Sequence, residues 1–518
     1  MKITKNLKEL AGKYPTLSLV GYNFLQKYWH VKANFTNYEY PENKSAATIP
    51  LDKVKDYNKH RAFGPMKRIC YAPFTNLHFQ MNGDVSACSF NYDYTIGNIH
   101  HQTIKEIWFG EKAAEFRKTL ADFNLDKCLS CKKVLISENY SSFPPLKYDI
   151  HASDNTEYPT QMSFEISNLC NYECIMCNED FSSLIRKNRA KLPPVKYYYP
   201  DNFIEQLKEF IPHLTIATFI GGEPLLIKQY FEIWKEILKV NKNCTIHVQS
   251  NGSYLPPQFL EMLESGQFEM GISIDSPIKE TFEKIRINAD FDEVEQNIQT
   301  LLDYKKRGKV FLNFNFCPLT VNWKEMPQML EYANKADVAL KIVNIETPRH
   351  LALQYRSAEF LDEVYNILSN HHFNVEDNSL VIKRNMETYQ HFLSSIFFYK
   401  SQAAKRDVVF DDLKQNATGE LFLILEKLIS TNLLFKNFSV SDKKVIFDEM
   451  YQYMFAKIKD GLIIKNVLVR IIHSFNESEH EVDNTTSKDT KVGLVMFKRV
   501  VDEFALLEEE LNLPHFQE

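Results

Sequence analysis

Three cysteines lie within eight positions of the stretch SNLCNYECIMCNED, residues 167–180, with the spacing C-x3-C-x2-C. Cys170, Cys174 and Cys177 are too few to saturate a four-coordinate metal site by themselves. Three thiolates can instead hold three irons of a [4Fe–4S] cube, whose full complement is four cysteines. The fourth iron would then be free to bind a substrate or a cofactor.

A zinc site and a set of buried structural thiols are the alternatives. A structural zinc ion takes four ligands, and His151 and His213 stand at no recognised spacing from the three cysteines. The stretch directly follows the apolar segment QMSFEIS, which predicts a strand, and the C-terminal ends of barrel strands carry the chemistry in parallel barrels. The position therefore favours the open cluster.

The C-x3-C-x2-C spacing resembles the signature of the radical S-adenosylmethionine (radical SAM) superfamily. In that family the methionyl amine and carboxylate of SAM chelate the open iron, and an electron from the cluster cleaves the sulfonium to give a 5′-deoxyadenosyl radical. The resemblance implies a [4Fe–4S] cluster on these three cysteines and SAM as the cofactor. The position before the third cysteine, usually aromatic and near the adenine, is Met176 here, and a thioether can also pack against a ring.

A second segment, LTIATFIGGEPLL, is similar to the GGEP motif of the same family, which holds the methionyl amine. By this resemblance Gly221, Gly222 and Glu223 contact SAM. Two glycines let a backbone approach a ligand closely, and a carboxylate can pair with an ammonium group.

Two further segments extend the resemblance. SIDSPIKETFEKIR is similar to the family segment in which a serine and an arginine hold the SAM carboxylate, which implies Ser273 and Arg286 in those roles, and a guanidinium is well shaped for a carboxylate. Ser276 stands where the family pattern has a glycine. VQSNG looks like the end of the third strand and places Ser250 and Asn251 near the cofactor.

Apolar strands alternate with amphipathic helices from about residue 160 to residue 350. Repeated strand–helix units predict parallel strands with right-handed crossovers. Six such strands predict an open or partial barrel, a (β/α)6 arrangement of the α/β class. The six segments are QMSFEIS, LTIATFI, TIHVQSN, FEMGISID, KVFLNFNF and ALKIVNIE.

Side-chain alternation along three of these strands predicts a polar lumen, because alternate residues of a strand face opposite sides. Asn313, Asn315 and Cys317 share one face of their strand, and the residues between them are apolar. QMSFEIS and FEMGISID divide in the same way. A half-solvated sheet is the alternative. Cys317 could donate a hydrogen atom to a substrate radical, although a buried free thiol is the ordinary role of such a cysteine.

Four more cysteines, Cys70, Cys88, Cys128 and Cys131, precede the predicted barrel. TNLHFQMNGDVSACSF predicts a hairpin with an Asn-Gly turn, and the four thiols would complete one saturated site, for which a zinc ribbon is an alternative. The surrounding sequence resembles the SPASM/twitch module that carries an auxiliary [4Fe–4S] cluster in many radical SAM enzymes. Cysteines for one cluster resemble the twitch form, and the module precedes the barrel here instead of following it. The resemblance implies an electron conduit or acceptor, with a purely structural role as the alternative.

The bulk composition excludes several classes of protein. The 518 residues have a formal net charge of -6, which gives no electrostatic sign of nucleic-acid binding. We find no signal peptide and no apolar stretch of membrane-spanning length. Nine clustered cysteines without an export signal indicate metal or redox sites in a reducing cytoplasm.

Four regions follow: a partly helical lead-in at 1–62, the SPASM/twitch-like module at 63–150, the radical SAM core at 151–350 and a mostly α-helical region at 351–518. The resemblance implies two [4Fe–4S] clusters, SAM, and an electron donor such as flavodoxin or ferredoxin. It also implies hydrogen abstraction from a substrate, and we expect a peptide or protein that is crosslinked, epimerised or oxidised. A small-molecule dehydrogenation or rearrangement and a non-catalytic iron–sulfur scaffold are the alternatives.

Overall fold

The computed structural model describes most of the chain between residues 47 and 471. The described residues are 47–61, 65–92, 94–136, 140, 143–195, 199–345, 348, 351–373, 379–414, 423, 425–427, 429, 430, 439–457, 467, 468 and 471. Most of the predicted lead-in at 1–62 lies outside them, as does much of the predicted helical region 351–518 after residue 414.

The region that precedes the barrel consists of short helices around a small hairpin. Asn82 and Gly83 form its turn, with Gly83 at a φ of +82°, and β1 and β2 pair antiparallel as predicted. The elements are α1 (Leu51–Lys59), α2 (Ala72–Thr75), β1 (Asn76–Gln80), β2 (Asp84–Ser86), β3 (Gly97–Asn98), α3 (Ile104–Phe109), α4 (Glu111–Ala121), α5 (Leu129–Ile136) and a 3-10 helix (Pro144–Tyr148).

Strands and helices then alternate as the sequence predicts. The elements are β4 (Gln161–Glu165), α6 (Ser183–Asn188), α7 (Phe203–Leu207), β5 (Ile216–Phe219), α8 (Lys228–Val240), β6 (Thr245–Ser250), α9 (Pro257–Leu263), β7 (Gln267–Ser273), α10 (Lys279–Ile285), α11 (Phe291–Lys306), β8 (Val310–Phe316), α12 (Met326–Lys335) and β9 (Ala339–Ile342). Short 3-10 helices lie at Ile211–His213, Pro224–Leu226, Trp323–Glu325 and Leu353–Tyr355.

The strands form one nine-stranded sheet in the order β3-β2-β1-β4-β5-β6-β7-β8-β9. Strands β4 to β8 pair in parallel, and β9 is the last neighbour. The predicted partial (β/α)6 barrel of the α/β class is therefore confirmed. The hairpin adds to it, because β1 pairs in parallel with β4 along its whole length, so the small preceding region and the barrel share one sheet.

The two faces of the sheet differ in polarity, in agreement with the predicted alternation. One face packs against the helices: the Trp234 ring of α8 lies 5.5 Å from Phe219 and 6.1 Å from Phe268. The opposite face carries polar side chains, and the strand register aligns His247 with Glu269. Further polar residues of this face are His78, Gln80, Ser163, Glu165, Thr218, Gln249, Ser273, Asn313 and Asn315.

The described remainder of the chain is helical, as predicted, with α13 (Ala358–Ser369), α14 (Leu380–Lys414) and α15 (Val440–Lys457). The described part of the chain contains no helix with the length and apolar character that a membrane crossing requires. Contacts divide the chain into two compact units. The first comprises Met1–Phe316, Gln328–Lys341 and Val375–Thr388, and the second Cys317–Pro327, Ile342–Asn374 and Tyr389–Glu518. The boundaries predicted at 63–150, 151–350 and 351–518 stay predictions.

Candidate functional site

The loop with the three cysteines begins five residues after β4 ends, and the first turn of α6 holds its start. The Cys170 N–H donates to Ser183 Oγ at 3.2 Å, and the same hydroxyl donates to the Cys170 carbonyl at 3.2 Å. The Ser183 N–H in turn donates to the Asn168 carbonyl at 2.8 Å. These bonds fix Cys170 at the C-terminal end of the barrel strand.

The middle of the loop is held by the segment that follows α10. The Glu173 N–H donates to the Ile287 carbonyl at 3.0 Å, and the Ile175 N–H donates to the Ile285 carbonyl at 2.9 Å. Arg286 lies between these two carbonyls in sequence, and its Nη1 is 3.8 Å from Cys174 Sγ. Its Nη2 forms a buried ion pair with Asp275, 2.5 Å away. The cysteine loop and the end of β7 are thus joined through one guanidinium.

The two glycines of the GGEP segment are required by the cysteine loop itself. A Cβ on Gly222, whose φ is +44°, would lie 2.3 Å from the Leu169 carbonyl oxygen, and a Cβ on Gly221 would lie 2.9 Å from the Ser167 carbonyl oxygen. The Glu223 N–H donates to the Leu169 carbonyl at 2.7 Å. The close backbone approach that we expected toward a ligand is therefore made to the chain segment that leads into Cys170.

Glu223 is fully buried and accepts three hydrogen bonds. Oε1 accepts from Ser250 Oγ at 2.8 Å and from the Leu225 N–H at 3.1 Å, while Oε2 accepts from the Asn251 N–H at 2.6 Å. Burial is the main reason that the pKa of Glu223 rises to about 7, and these donors act in the opposite direction. A cation at this carboxylate would favour its ionised form.

The three cysteine thiols of the loop suit a bound metal cluster, because its positive charge would stabilise their thiolate forms. Burial raises the pKa of Cys170 to about 12 and that of Cys177 to about 11. Thiols with such pKa values are protonated at neutral pH, and metal binding requires the thiolate. Burial raises the pKa of the Cys174 thiol as well, so all three thiols of the loop suit a cluster that stabilises their ionised form.

The four cysteines of the preceding region line one cavity. About 360 Å³ of empty space, partly open to solvent, lies between the four thiols, and Tyr148 and apolar side chains such as Phe116 and Leu120 form its other walls. The Ala72 N–H donates to Cys70 Sγ at 3.4 Å, and Asn91 Nδ2 donates to Cys128 Sγ at 3.3 Å. Within the described residues, no three His, Cys, Asp or Glu side chains converge as ligands of a single metal ion. Four thiols around one apolar cavity fit a metal cluster bound through all of them.

Family models match the barrel region of the chain and the region that precedes it. Residues 164–333 match the radical SAM superfamily, and residues 70–132 match SPASM, an iron-sulfur cluster-binding domain. The chain contains a radical SAM domain. A SPASM domain precedes it in the sequence, which confirms the predicted order, and the two domains imply SAM and iron–sulfur clusters as cofactors.

Curated relatives match part of this chain. A probable GTP 3′,8-cyclase of Thermococcus kodakarensis is 25% identical over 195 residues, which are 37% of this chain and 59% of the relative. The GTP 3′,8-cyclase of Saccharophagus degradans is 23% identical over 220 residues, which are 41% of this chain and 62% of the relative. The chain therefore spans about three fifths of the length of these relatives.

Solved structures show partial similarity. The structure of anSMEcpe with bound AdoMet matches at 21% sequence identity and a TM-score of 0.33, over 40% of this chain and 60% of that one. Streptococcus suis SuiB bound to its precursor peptide SuiA matches at 13% identity and a TM-score of 0.31, over 50% of this chain and 58% of that one.

The remaining predicted SAM contacts lie at the ends of β6 and β7 and in the cysteine loop. Ser273 ends β7, where its hydroxyl accepts from Gln249 Nε2 at 2.8 Å. Asn251 donates through Nδ2 to Asn171 Oδ1 at 2.9 Å, which ties it to the cysteine loop. Met176 is half-buried in that loop. Their roles toward SAM stay predictions.

Two further predictions from the sequence concern the turn at Ser276 and the role of Cys317. The Ser276 hydroxyl accepts from the Ile278 N–H at 2.8 Å, so a serine turn replaces the glycine of the family pattern. Cys317 follows β8 directly and is half-buried, but it belongs to the second compact unit. Its predicted role as a hydrogen donor therefore stays a prediction.

Sequence reasoning missed two residues that build the site. The Tyr230 hydroxyl accepts from the Ile166 N–H at 3.1 Å and lies 2.9 Å from the Phe164 carbonyl and 2.7 Å from the Ile220 carbonyl. This hydroxyl joins the ends of β4 and β5, where the cysteine loop and the GGEP segment begin. The second residue is Asp275, which the alternation along FEMGISID placed on the polar face. Its ion pair with Arg286 was not predicted, and the short spacing between the two residues in the sequence was the one feature that could have indicated it.

We expect Gly222→Ala to displace the cysteine loop, because the new methyl group would overlap the Leu169 carbonyl at 2.3 Å. Reconstituted protein should retain less than about half of the iron bound by the radical SAM domain, since its loop geometry is lost. Gly308→Ala is the matched control: Gly308 has a φ of +70° with no atom within 4 Å of a Cβ. Equal iron contents in the two variants would show that the contact at Leu169 is unimportant.

We expect Arg61→Met to destabilise the SPASM domain. Arg61 and Asp149 form a fully buried ion pair at 2.6 Å, and the same guanidinium donates to the Arg68 carbonyl just before Cys70. Removing one partner of a buried pair costs about 3–5 kcal/mol. The midpoint of anaerobic urea unfolding measures the loss. Arg307→Met, which removes an exposed pair with Glu264, should cost less than about 1 kcal/mol, and a similar cost for both variants would refute the expectation.

Proposed function

We propose that the protein is a radical SAM enzyme that abstracts a hydrogen atom from a peptide or protein substrate bound on the polar face of the barrel. The observation that carries the proposal is the contact between the C-x3-C-x2-C loop and two partners. The GGEP segment packs on its start, and the chain around Arg286 hydrogen-bonds to its middle. The proposed cluster ligands therefore lie on a loop that contacts the segments of the proposed SAM contacts Glu223 and Arg286.

When bound by Cys170, Cys174 and Cys177, a [4Fe–4S] cluster supplies the electron that cleaves SAM to the 5′-deoxyadenosyl radical. The chain's own residues position the cofactor. Glu223 accepts hydrogen bonds from the methionyl ammonium group of SAM, and Ser273 and Arg286 bind the carboxylate of SAM. A guanidinium has five N–H donors, so pairing with Asp275 does not by itself occupy Arg286.

Three other residues complete the proposed cofactor site. Ser250 and Asn251 hold the Glu223 carboxylate from β6 and its following turn, which fixes the direction in which it faces the ammonium. Met176 packs its thioether near the adenine.

In the SPASM domain, Cys70, Cys88, Cys128 and Cys131 hold a second [4Fe–4S] cluster that conducts or accepts the electron of the substrate radical. Cys317 is the proposed hydrogen donor if the reaction is an epimerisation.

The test is reductive cleavage of SAM. Protein reconstituted anaerobically with iron and sulfide is reduced with dithionite, or with flavodoxin or ferredoxin as the proposed physiological donors, and 5′-deoxyadenosine is measured by mass spectrometry. We expect at least several equivalents per protein over hours. Failure to form any 5′-deoxyadenosine in protein that holds both clusters would leave the non-catalytic scaffold.

A small-molecule substrate is the second candidate, and the names of the curated relatives favour it, since they are GTP 3′,8-cyclases or probable ones. Incubation of reduced protein with GTP distinguishes the candidates. Consumption of GTP coupled to release of 5′-deoxyadenosine would support the nucleotide, whereas unchanged GTP with continued release of 5′-deoxyadenosine would favour a peptide.

The cytoplasmic location is part of the same proposal, because both clusters need a reducing compartment.

A further inference from the structure

The hairpin of the SPASM domain places its polar side chains beside those of the first barrel strand. Strands β1 and β4 pair so that His78 lies next to Ser163 and Gln80 next to Glu165. His78 Nδ1 lies 3.0 Å from Ser163 Oγ, and His78 Nε2 lies 3.2 Å from Glu165 Oε2. Both His78 and Glu165 are buried. A buried carboxylate at the end of β4 therefore faces groups that the SPASM domain supplies.

Tyr92 brings a second contact from the SPASM domain to the same carboxylate. Its hydroxyl donates to Glu165 Oε2 at 2.7 Å, and its ring meets the His78 ring edge-on, with 6.0 Å between the ring centres. A buried carboxylate is costly unless it accepts hydrogen bonds. The bond from the hydroxyl therefore fixes the side chains of Tyr92 and Glu165 relative to each other.

The segment that carries Tyr92 is anchored at two of the SPASM cysteines. Tyr92 stands four residues after Cys88. The N–H of its neighbour Asn91 donates to the Cys88 carbonyl at 3.3 Å, and Asn91 Nδ2 donates to Cys128 Sγ at 3.3 Å. A cluster that holds these cysteines in place would also hold Asn91, and with it the adjacent Tyr92.

On its other side, Glu165 lies against the GGEP segment. A Cβ on Gly221 would lie 2.9 Å from Glu165 Cγ and 3.3 Å from Glu165 Cα. The Ile220 N–H donates to the Phe164 carbonyl at 2.9 Å, so the two segments lie side by side. Gly221 precedes Glu223, the proposed acceptor of the SAM ammonium, by two residues. Because protein interiors are densely packed, a movement of Glu165 displaces the GGEP segment.

We propose that Tyr92 is a positioning residue that couples the auxiliary cluster of the SPASM domain to the binding of SAM. The cluster holds Asn91 and Tyr92, Tyr92 holds Glu165, and Glu165 supports the GGEP segment. Both ends of this connection lie in the first compact unit. Since such a coupling is reciprocal, a filled auxiliary site raises the affinity for SAM, and SAM raises the affinity of the auxiliary site for its cluster. The inference deepens the proposed function and rests on it, because it assumes that both clusters and SAM bind.

The affinity for SAM tests the role of Tyr92 without turnover. Equilibrium dialysis with labelled SAM is carried out on anaerobically reconstituted protein that holds both clusters, without reductant. Tyr92→Phe should weaken SAM binding about tenfold, within the usual range of such couplings, because the hydroxyl that holds Glu165 is lost. Tyr92 is 45% exposed, so the variant should keep the fold. Tyr94→Phe is the control, since it removes a hydroxyl that accepts from Lys127 Nζ at 3.0 Å, and it should leave the affinity unchanged.

A double-mutant cycle separates the coupling from general damage to the fold. Cys88→Ala, which should lose the auxiliary cluster, should weaken SAM binding about tenfold in the unsubstituted protein and less than about twofold in Tyr92→Phe. Two unrelated defects would instead multiply to about a hundredfold. Glu165→Ala tests the same connection with both clusters present. In that variant Tyr92→Phe should cause a further loss of less than about twofold, because its partner is already absent.

Two outcomes contradict the proposal. Full SAM affinity in Tyr92→Phe would show that the hydroxyl does not support the SAM site. Losses that multiply in the cycle of Cys88→Ala with Tyr92→Phe would show that the auxiliary site acts on SAM by another route. In both cases the unsubstituted protein still binds SAM, so the proposed function stands, whereas a failure of the unsubstituted protein to bind SAM would overturn the proposed function and this inference together.

Discussion

Replacing Cys170 by alanine should abolish the formation of 5′-deoxyadenosine and remove one of the two iron–sulfur clusters. Only three cysteines are proposed to hold the catalytic cluster, so the loss of one leaves two irons without protein thiolates. We expect the rate to fall by at least about a thousandfold, which is about 4 kcal/mol or more in the barrier. Iron analysis and mass spectrometry of 5′-deoxyadenosine measure the two effects on the same sample.

Cys244→Ala is the control for the loss of a thiol. Cys244 is buried just before β6 and belongs to neither proposed cluster, so the variant should retain both clusters and the full rate. Cys88→Ala should lose the other half of the iron, since Cys88 lines the SPASM cavity. Full iron content in Cys170→Ala would show that this thiol is not a cluster ligand.

Replacing Glu223 by glutamine should weaken SAM binding by about 10- to 100-fold, the usual cost of a lost charge-assisted hydrogen bond. The amide removes the negative charge at the proposed ammonium site and keeps the size of the side chain. Glu264→Gln is the matched control, because Glu264 is exposed and pairs at the surface with Arg307 and Lys309. Equilibrium dialysis with labelled SAM measures both dissociation constants.

The same carboxylate predicts a pH dependence of SAM binding. Burial raises the pKa of Glu223 to about 7 in the free protein, and only the ionised form attracts an ammonium group. SAM affinity should therefore fall as the pH is lowered from 8 to 6 in the unsubstituted protein, and it should stay flat in Glu223→Gln. An equal slope in both proteins would assign the pH dependence to another group.

The sequence predicted the parts of the site that depend on local pattern. Alternation along KVFLNFNF placed Asn313 and Asn315 on the polar face because a strand has a period of two residues. The Asn-Gly turn predicted the β1–β2 hairpin because a tight hairpin needs positive φ values. Glu223 follows two glycines at a strand end, which is a local feature as well.

Contacts between distant segments were beyond the sequence. No pattern in residues 76–80 shows that β1 pairs in parallel with β4, because strand pairing depends on the whole sheet. The glycines of the GGEP segment gave no sign that they pack on the Leu169 carbonyl.

Binding of SAM to an open iron is tested most directly by electron paramagnetic resonance of the reduced cluster in Cys88→Ala protein, where only the cluster of the radical SAM domain should remain. We expect a [4Fe–4S]⁺ signal that changes when SAM is added, with hyperfine coupling to ¹⁵N of labelled methionyl SAM, because the amine would bind the open iron. Zinc in place of iron at Cys170, Cys174 and Cys177, or a cluster signal indifferent to SAM, would contradict it.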